Sequence, residues 1–155
     1  MKRILLSSII VFVLLGAGLV VYFYPTPLID DPEDAEVISI ELFYGSGDTF
    51  QTMQWGKYAD GEESVNYFSI PDGAEAEILH YLGQHKEKRT FFQKVQGVAT
   101  EDVVIRIILY PHQDQSDIKT IYLGLEDFSE HNHYRSNILR GDLLLANILA
   151  ALEVN

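Results

Sequence analysis

Histidine and acidic side chains are concentrated in the stretch "EDFSEHNHYR" (126–135). His131 and His133, two positions apart, project to the same side of an extended segment, and Glu130 precedes them closely. His112 belongs to another turn that could approach this stretch. Imidazoles and carboxylates bind zinc when three or four of them converge on one point. We therefore take these four side chains as candidate metal ligands or as parts of a hydrolytic site. The alternative is a polar loop of solvated side chains.

The stretch "HKEKRTFFQK" (85–94) holds a basic cluster in an otherwise acidic chain. Two phenylalanines adjoin its cations, which are Lys86, Lys88, Arg89 and Lys94. One interpretation is a partner-binding patch for an acidic protein or for an anionic envelope component, such as a wall polymer or a lipid headgroup. The other is structural, because cations just beyond a helix C-terminus complement the helix dipole.

The tripeptide Arg140-Gly141-Asp142 precedes a long apolar run. It resembles the integrin ligands in which Arg-Gly-Asp-Leu leads directly into a helix, and Leu143 matches that pattern. Ala146, however, occupies the position of the second leucine. We expect Asp142 to be the structural N-cap of a helix, where its carboxylate bonds to backbone amides and contributes about 1 kcal/mol. A carboxylate turned onto its own backbone is not free to bind a metal ion, so we expect no integrin binding.

Composition and missing motifs restrict the chemistry further. The 155-residue chain has 23 acidic against 11 basic residues and a formal net charge of −12, so nucleic acid is a poor partner. It contains no cysteine, which excludes a disulfide framework. The sequence has no His-Glu-x-x-His, no Cys/His zinc spacing and no Gly-x-Ser-x-Gly frame. We therefore expect no cofactor and assign no catalytic residue.

The N-terminus is basic and then apolar. Lys2 and Arg3 precede an uncharged run from Ile4 to Tyr24, which is long enough to span about 30 Å of hydrocarbon as a helix. We predict that residues 1–24 form a transmembrane signal-anchor, so that the protein spans the cell membrane once with its C-terminal domain outside the cytoplasm. The alternative is cleavage of the signal near residues 16–18, "GAG", followed by secretion.

Hydrophobic periodicity predicts an α+β domain at 37–155, after an acidic spacer with prolines at 25–36. The order of elements predicts a mainly antiparallel sheet with two helices on one face. Ser69 and Asp72 have the spacing of a capping box before the first helix. The strands are predicted at 37–44, 49–55, 65–70, 90–95, 103–110, 118–125 and 134–139, and the helices at 72–83 and 142–153.

The two halves of this domain follow the same order, three strands and then a helix. The segments "VNYFSIPDGAEAEILHYL" (65–82) and "HYRSNILRGDLLLANILAAL" (133–152) each carry Tyr, then Ser two residues later, before a helix led by Asp. Two interpretations are open. One is a duplicated β-β-β-α unit, and the other is chance similarity between two amphipathic patterns.

The layout of the whole chain resembles the small membrane-anchored or secreted α+β domain proteins of Gram-positive bacteria. The resemblance rests on a basic start, one apolar span, an acidic spacer and a cysteine-free domain, and it implies no activity. We expect a noncatalytic, membrane-tethered extracytoplasmic binding domain of unidentified ligand, which meets a protein or an anionic envelope component through an exposed sheet face or the basic cluster. The alternative function is a metal-dependent or hydrolytic cell-envelope enzyme that uses the 126–133 loop.

Overall fold

The computed structural model describes residues 2–44, 51–56, 66–90, 103–112, 117–132 and 134–153, with the backbone alone for residues 2–8, 66, 67 and 103. These ranges contain three helices and nine strands. The helices are α1 (Lys2–Tyr22), α2 (Ala74–Gln84) and α3 (Gly141–Ala151). The strands are β1 (Thr26–Pro27), β2 (Glu36–Tyr44), β3 (Gln51–Gly56), β4 (Asn66–Phe68), β5 (Lys86–Arg89), β6 (Val103–Tyr110), β7 (Lys119–Gly124), β8 (Phe128–His131) and β9 (Tyr134–Ile138).

All the described strands belong to one sheet in the order β1-β5-β9-β8-β7-β6-β2-β3-β4. Each neighbouring pair is antiparallel except β3 and β4, which are parallel. The predicted α+β class with a mainly antiparallel sheet is therefore confirmed. Strands β6 to β9 follow one another as a meander. Strand β5 precedes β6 in the chain but lies at the other end of this meander, between β1 and β9.

The buried core lies against one face of the sheet, which we call the inner face. Alternation along β6 buries Ile105, Ile107 and Leu109 on this face, as predicted, and β7 adds Ile121 and Leu123. The same buried cluster includes side chains from or next to the two C-terminal helices, namely Ile78, Leu79, Leu82, Leu144, Ile148 and Leu152. The periodicity of the sequence therefore identified the main hydrophobic contacts.

Strand β2 departs from simple alternation at its start. Simple alternation would place Ile38, Ile40 and Leu42 on one face, but Val37 is fully buried, whereas Ile38 is only partly buried. The pairing with β6 shifts between Val37 and Ser39, so one extra residue is inserted into β2 there. Such a bulge turns the preceding side chain to the other face of the strand. Alternation alone gives no sign of it.

The segment that follows α1 is part of the fold and not a solvated spacer. Thr26 and Pro27 pair with β5, and both Leu28 and Ile29 are buried in the core. The Leu28 amide donates to the His85 carbonyl at 2.8 Å. The prediction of a solvated spacer at 25–36 is therefore wrong for this part of the segment, because its two aliphatic side chains complete the core next to the sheet edge.

Two other local predictions change. Residues 126–133, expected to be a polar loop, contain strand β8, which pairs with both β7 and β9. The strand expected at 90–95 lies outside the described residues except for Thr90, but the basic residues just before it form strand β5. In both cases polar residues occupy strands, because neighbouring strands supply the backbone hydrogen bonds whatever the side chains are.

Helix α1 (Lys2–Tyr22) covers most of the predicted membrane span. Its side chains are described from Ile9 to Tyr22 and are largely exposed. Within the described residues, no helix has the length and apolar character needed to cross a membrane. The prediction of a transmembrane signal-anchor at 1–24 is therefore wrong for this part of the chain.

Neither α2 nor α3 begins with a side-chain cap. Helix α2 starts after Gly73, which has a left-handed φ of 83°, so the expected capping box of Ser69 and Asp72 does not form. Helix α3 starts after Arg140, also left-handed with φ 60°, and no side chain caps it. Asp142 lies in the first turn of α3, so its prediction as the N-cap is wrong. A carboxylate in the first turn still interacts favourably with the helix dipole.

Within the Arg-Gly-Asp tripeptide, Gly141 and not Asp142 has the main structural role. It is buried, and the side chain of Asp127 occupies the place that a Cβ atom at residue 141 would take. Asp127 is itself held in place, since its Oδ1 accepts from the Gly124 amide at 3.1 Å and its carbonyl accepts from the Ile138 amide at 2.9 Å. The Arg-Gly-Asp sequence therefore forms the tightly packed junction between β9 and α3.

The proposed duplication holds only for the first two strands of each half. β2 with β3 and β6 with β7 are both antiparallel pairs, and β2 pairs with β6. The third strands differ, because β4 is parallel to β3 whereas β8 is antiparallel to β7. The second half also has a fourth strand, β9, before its helix. Chance similarity of amphipathic patterns accounts better for the sequence likeness.

Replacing Leu28 with alanine should lower the free energy of unfolding by about 2–5 kcal/mol, because a fully buried leucine is lost from the core. The matched control is Leu125→Ala, whose side chain is 80% exposed, and its effect should stay below about 0.5 kcal/mol. Urea unfolding of both variants gives the comparison. Equal, small effects would show that residues 25–36 are not part of the folded unit.

Replacing Gly141 with alanine should destabilise the fold by about 1–3 kcal/mol, because the new methyl group displaces Asp127. Asp142→Ala should change the unfolding free energy by no more than about 1 kcal/mol, since only a dipole interaction is lost. Chemical denaturation measures both. A larger effect of Asp142→Ala than of Gly141→Ala would restore the capping interpretation.

Candidate binding site

A cleft of about 510 Å³ opens where the C-terminal end of α1 meets strands β5, β8 and β9. We call it the Arg89 cleft. Its volume lies in the range of small-molecule sites, about 300–1,000 Å³. The residues that line it are Tyr22, Glu87, Arg89, Thr90, His131, Asn132, Tyr134, Arg135 and Ser136.

Strand register brings these residues together from distant parts of the sequence. Arg89 pairs directly with Ser136, and His131 pairs with Tyr134. Directly paired residues of neighbouring strands project to the same face of a sheet. By this register the cleft lies on the inner face, next to the region that carries the hydrophobic core. It joins one residue of the predicted basic cluster to one residue of the predicted histidine-rich stretch.

Arg89 carries the charge that the described residues leave uncompensated in this cleft. Its guanidinium carbon lies 5.4 Å from the centre of the Tyr22 ring. None of the ion pairs among the described residues includes Arg89. A contact with an aromatic ring uses the positive charge and leaves the N–H donors of the guanidinium available. The exposed guanidinium can therefore bind an anionic group that enters the cleft.

A buried ion pair lies beside Arg89 and fixes its strand. Lys119 is only 5% exposed, and its Nζ lies 2.9 Å from Glu87 Oε2. The same Nζ donates to the Leu28 carbonyl at 2.5 Å. The buried hydroxyl of Ser129 donates to the same Glu87 oxygen. This network joins β5, β7, β8 and the segment after α1 at one point, and it gives each buried polar group a partner.

His131 is the one predicted metal ligand that lines the cleft. Its Nε2 donates to Asp117 Oδ1 at 2.6 Å. Glu130, next to it in β8, projects to the other face of the sheet, and His112 is exposed after β6 and does not line the cleft. His133 lies outside the described residues. Across the part of the chain that the structure describes, no three His, Asp or Glu side chains could hold one metal ion.

The basic cluster is divided between the two faces of β5. Arg89 lines the cleft, whereas Lys86 and Lys88 are exposed and do not line it. Alternation along the strand explains this separation, because neighbouring residues project to opposite faces. Lys94 lies outside the described residues. The three described residues of the basic cluster therefore do not form one continuous patch.

The opposite face of the sheet is formed by arginine and aromatic side chains that pair with one another. Arg106 forms an ion pair with Glu41, and the rings of Tyr122 and Phe128 are stacked with centres 4.6 Å apart. The guanidinium carbon of Arg135 lies 3.9 Å from the centre of the Phe128 ring. Burial raises the pKa of the Tyr122 hydroxyl above its usual value, and nearby acidic groups raise it further against the opposing effect of Arg106. The two arginines are thus held by ion-pair and ring contacts within this surface, while their Nε atoms are buried without a hydrogen-bond partner in the described part of the chain.

Sequence reasoning missed Lys119, Glu87 and the two tyrosines of the cleft. A signal for Lys119 was present, because it occupies the same alternation phase as the buried Ile121 and Leu123. A charge on the apolar face of a strand requires a buried partner. Nothing in the sequence indicates that this partner is Glu87, because the pairing depends on a strand more than thirty residues away.

Comparison with models of known protein families, with characterised proteins and with solved structures gives no match. The resemblance to small α+β domain proteins of Gram-positive bacteria therefore stays a prediction. The function of the chain has to be inferred from the cleft itself.

Replacing Lys119 with methionine should lower the free energy of unfolding by about 3–5 kcal/mol, because it leaves Glu87 charged in a mostly buried place. Lys88→Met is the matched control on an exposed lysine, with an expected effect below about 0.5 kcal/mol. The double variant Lys119→Met with Glu87→Gln should recover part of the loss. A double-mutant cycle by urea unfolding measures the coupling, and strictly additive effects would contradict the buried ion pair.

Proposed function

We propose that this chain is a noncatalytic binding domain that holds an anionic group of its ligand in the Arg89 cleft. The observation that carries the proposal is the uncompensated guanidinium of Arg89 in a cleft whose other described charges are paired. In a chain with net charge −12, a cationic cleft selects ligands that the rest of the surface repels.

The polar groups beside Arg89 support binding more than catalysis. The Ser129 hydroxyl and the Lys119 ammonium both bond to Glu87, so these groups already satisfy one another. A serine nucleophile needs a base at its hydroxyl and access to substrate, whereas Ser129 is buried against a carboxylate that accepts its proton as a hydrogen bond. This arrangement fixes the position of Glu87, which lines the cleft, and a fixed lining favours a preorganised binding site.

A hydrolytic enzyme is the second candidate, and the pair of Asp117 and His131 favours it. A carboxylate on one ring nitrogen orients an imidazole and supports its action as a base. The other nitrogen of His131 would then act on a substrate in the cleft. If this reading holds, His131→Ala abolishes a hydrolytic activity while Arg89→Gln raises KM.

We also propose that α2 and α3 lie on the inner face of the sheet. Side chains of both helices belong to one buried cluster with Ile107 and Ile121, which supports this packing. Location outside the cytoplasm, predicted from the basic and apolar N-terminus, stays a prediction. Binding of an anionic envelope component agrees with that location.

Arg89→Gln should remove the response of the full chain to lactate, a small soluble monocarboxylate used as the probe. In wild type, lactate should shift the backbone amide resonances of Arg89, Tyr134 and Ser136, measured by two-dimensional NMR. The reason is that the loss of the guanidinium removes a charge-assisted hydrogen bond, which weakens binding by about tenfold or more.

Lys88→Gln is the matched control for this experiment. It removes the same charge from the neighbouring exposed residue on the other face of β5. We expect Lys88→Gln to respond to lactate as wild type does. Equal loss of the response in both variants would show attraction by net charge and not a site, and an unchanged response in Arg89→Gln would refute the proposed function.

A further inference from the structure

The side chains around Arg89 restrict the chemical class of the ligand. The nine described residues that line the cleft include no aliphatic side chain. Most small-molecule sites are predominantly apolar, and burial of hydrocarbon requires such a lining. A fatty acyl chain or an aliphatic peptide side chain would meet only aromatic rings and the short hydrocarbon parts of polar side chains among these residues. A ligand that carries both polar groups and a flat apolar face matches this lining better.

Neutral hydrogen-bonding groups surround the Arg89 guanidinium. Thr90, Asn132 and Ser136 supply two hydroxyls and an amide, each able both to donate and to accept. Thr90 Oγ1 donates to the Arg135 carbonyl at 2.8 Å, which fixes its position and leaves its lone pairs available. Groups of this kind match hydroxyl groups, which also donate and accept.

Two tyrosine rings complete the walls. Tyr134 is 74% exposed at the start of β9, and Tyr22 is 41% exposed at the end of α1. An exposed ring in a polar cleft offers a flat apolar surface, on which the C–H face of a sugar ring can stack while the sugar hydroxyls bond to the polar groups. Tyr22 also contacts the Arg89 guanidinium and so limits its positions.

The charges near Arg89 distinguish between anions. Glu87 lines the cleft and forms an ion pair with Lys119, and Asp117 lies next to the cleft, where it accepts a hydrogen bond from His131. One uncompensated guanidinium therefore balances a single negative charge, and its planar donors match the two oxygens of a carboxylate. A phosphate dianion would bring a second charge close to two carboxylates.

We propose that the Arg89 cleft binds a carboxylated saccharide, with the carboxylate of a uronic acid unit on Arg89 and the sugar ring against Tyr134. This inference rests on the proposed function and specifies its ligand class. A polymer of such units is an anionic envelope component, and it combines the charge, the hydroxyls and the ring faces that the cleft accommodates.

Calorimetric titration of the full chain with oligogalacturonate tests the inference, with the methyl-esterified oligomer as the matched ligand. Esterification removes the charge and leaves the sugar rings, so we expect binding weaker by about tenfold or more. Arg89→Gln should weaken binding of the acid to the level of the ester and leave the ester unchanged. Tyr134→Ala should weaken both oligomers by a similar factor, because it removes the stacking surface.

The outcomes separate this inference from the proposed function. Inorganic phosphate that binds more tightly than oligogalacturonate, with binding lost in Arg89→Gln, would overturn the saccharide ligand and leave an anion-binding cleft. Equal affinities for the acid and the ester would overturn the role of the carboxylate. Binding of oligogalacturonate that Arg89→Gln does not change would overturn both proposals. Lys88→Gln serves again as the control for charge, and thermal unfolding confirms that each variant is folded.

Discussion

The buried ion pair between Lys119 and Glu87 is the interaction on which the rest of this structure depends. A lysine that is almost fully buried cannot keep its charge without a partner, and its ammonium here has both a carboxylate and the Leu28 carbonyl. Each partner comes from a different part of the chain. The pair therefore requires β5 to enter the sheet beside β9, and it requires the segment after α1 to close the edge. Without these two segments, the Lys119 ammonium would be buried without a hydrogen-bond partner.

This constraint also places the boundary between the core and the cleft. Along β7 the inner face changes from Leu123 and Ile121 to Lys119, so hydrocarbon gives way to charge within a few residues. Beyond that boundary, Arg89 and Ser136 continue the same face as a polar surface. The cleft is thus the part of the inner face that is not apolar. Glu87, which lines the cleft, already has its hydrogen-bond partners and is therefore held in place. A rigid lining lowers the entropy lost when a ligand binds.

Several local signals in the sequence were overridden by tertiary packing. The prolines and acids of 25–36 suggested a solvated segment, but Leu28 and Ile29 contribute more by burial than the polar residues lose by ordering. The helix predicted to end at residue 83 continues to Gln84, and the ring of Pro32 occupies the place that a side chain at Gly83 would take. Asp142 looked like a helix cap, but Gly141 had to contact Asp127, and the helix therefore began one residue earlier.

The sequence by itself determined the α+β class, the mainly antiparallel sheet and the approximate bounds of β2, β6, β7 and α3, because alternation and helical periodicity are local properties. It also indicated that Arg89 and His131 belong to unusual stretches. Only the tertiary structure decided that these two residues share a cleft, that Lys86 and Lys88 turn away from it, and that Lys119 finds Glu87. Those facts follow from the order and register of the strands. Register is set by contacts between residues far apart in the chain, which no local pattern records.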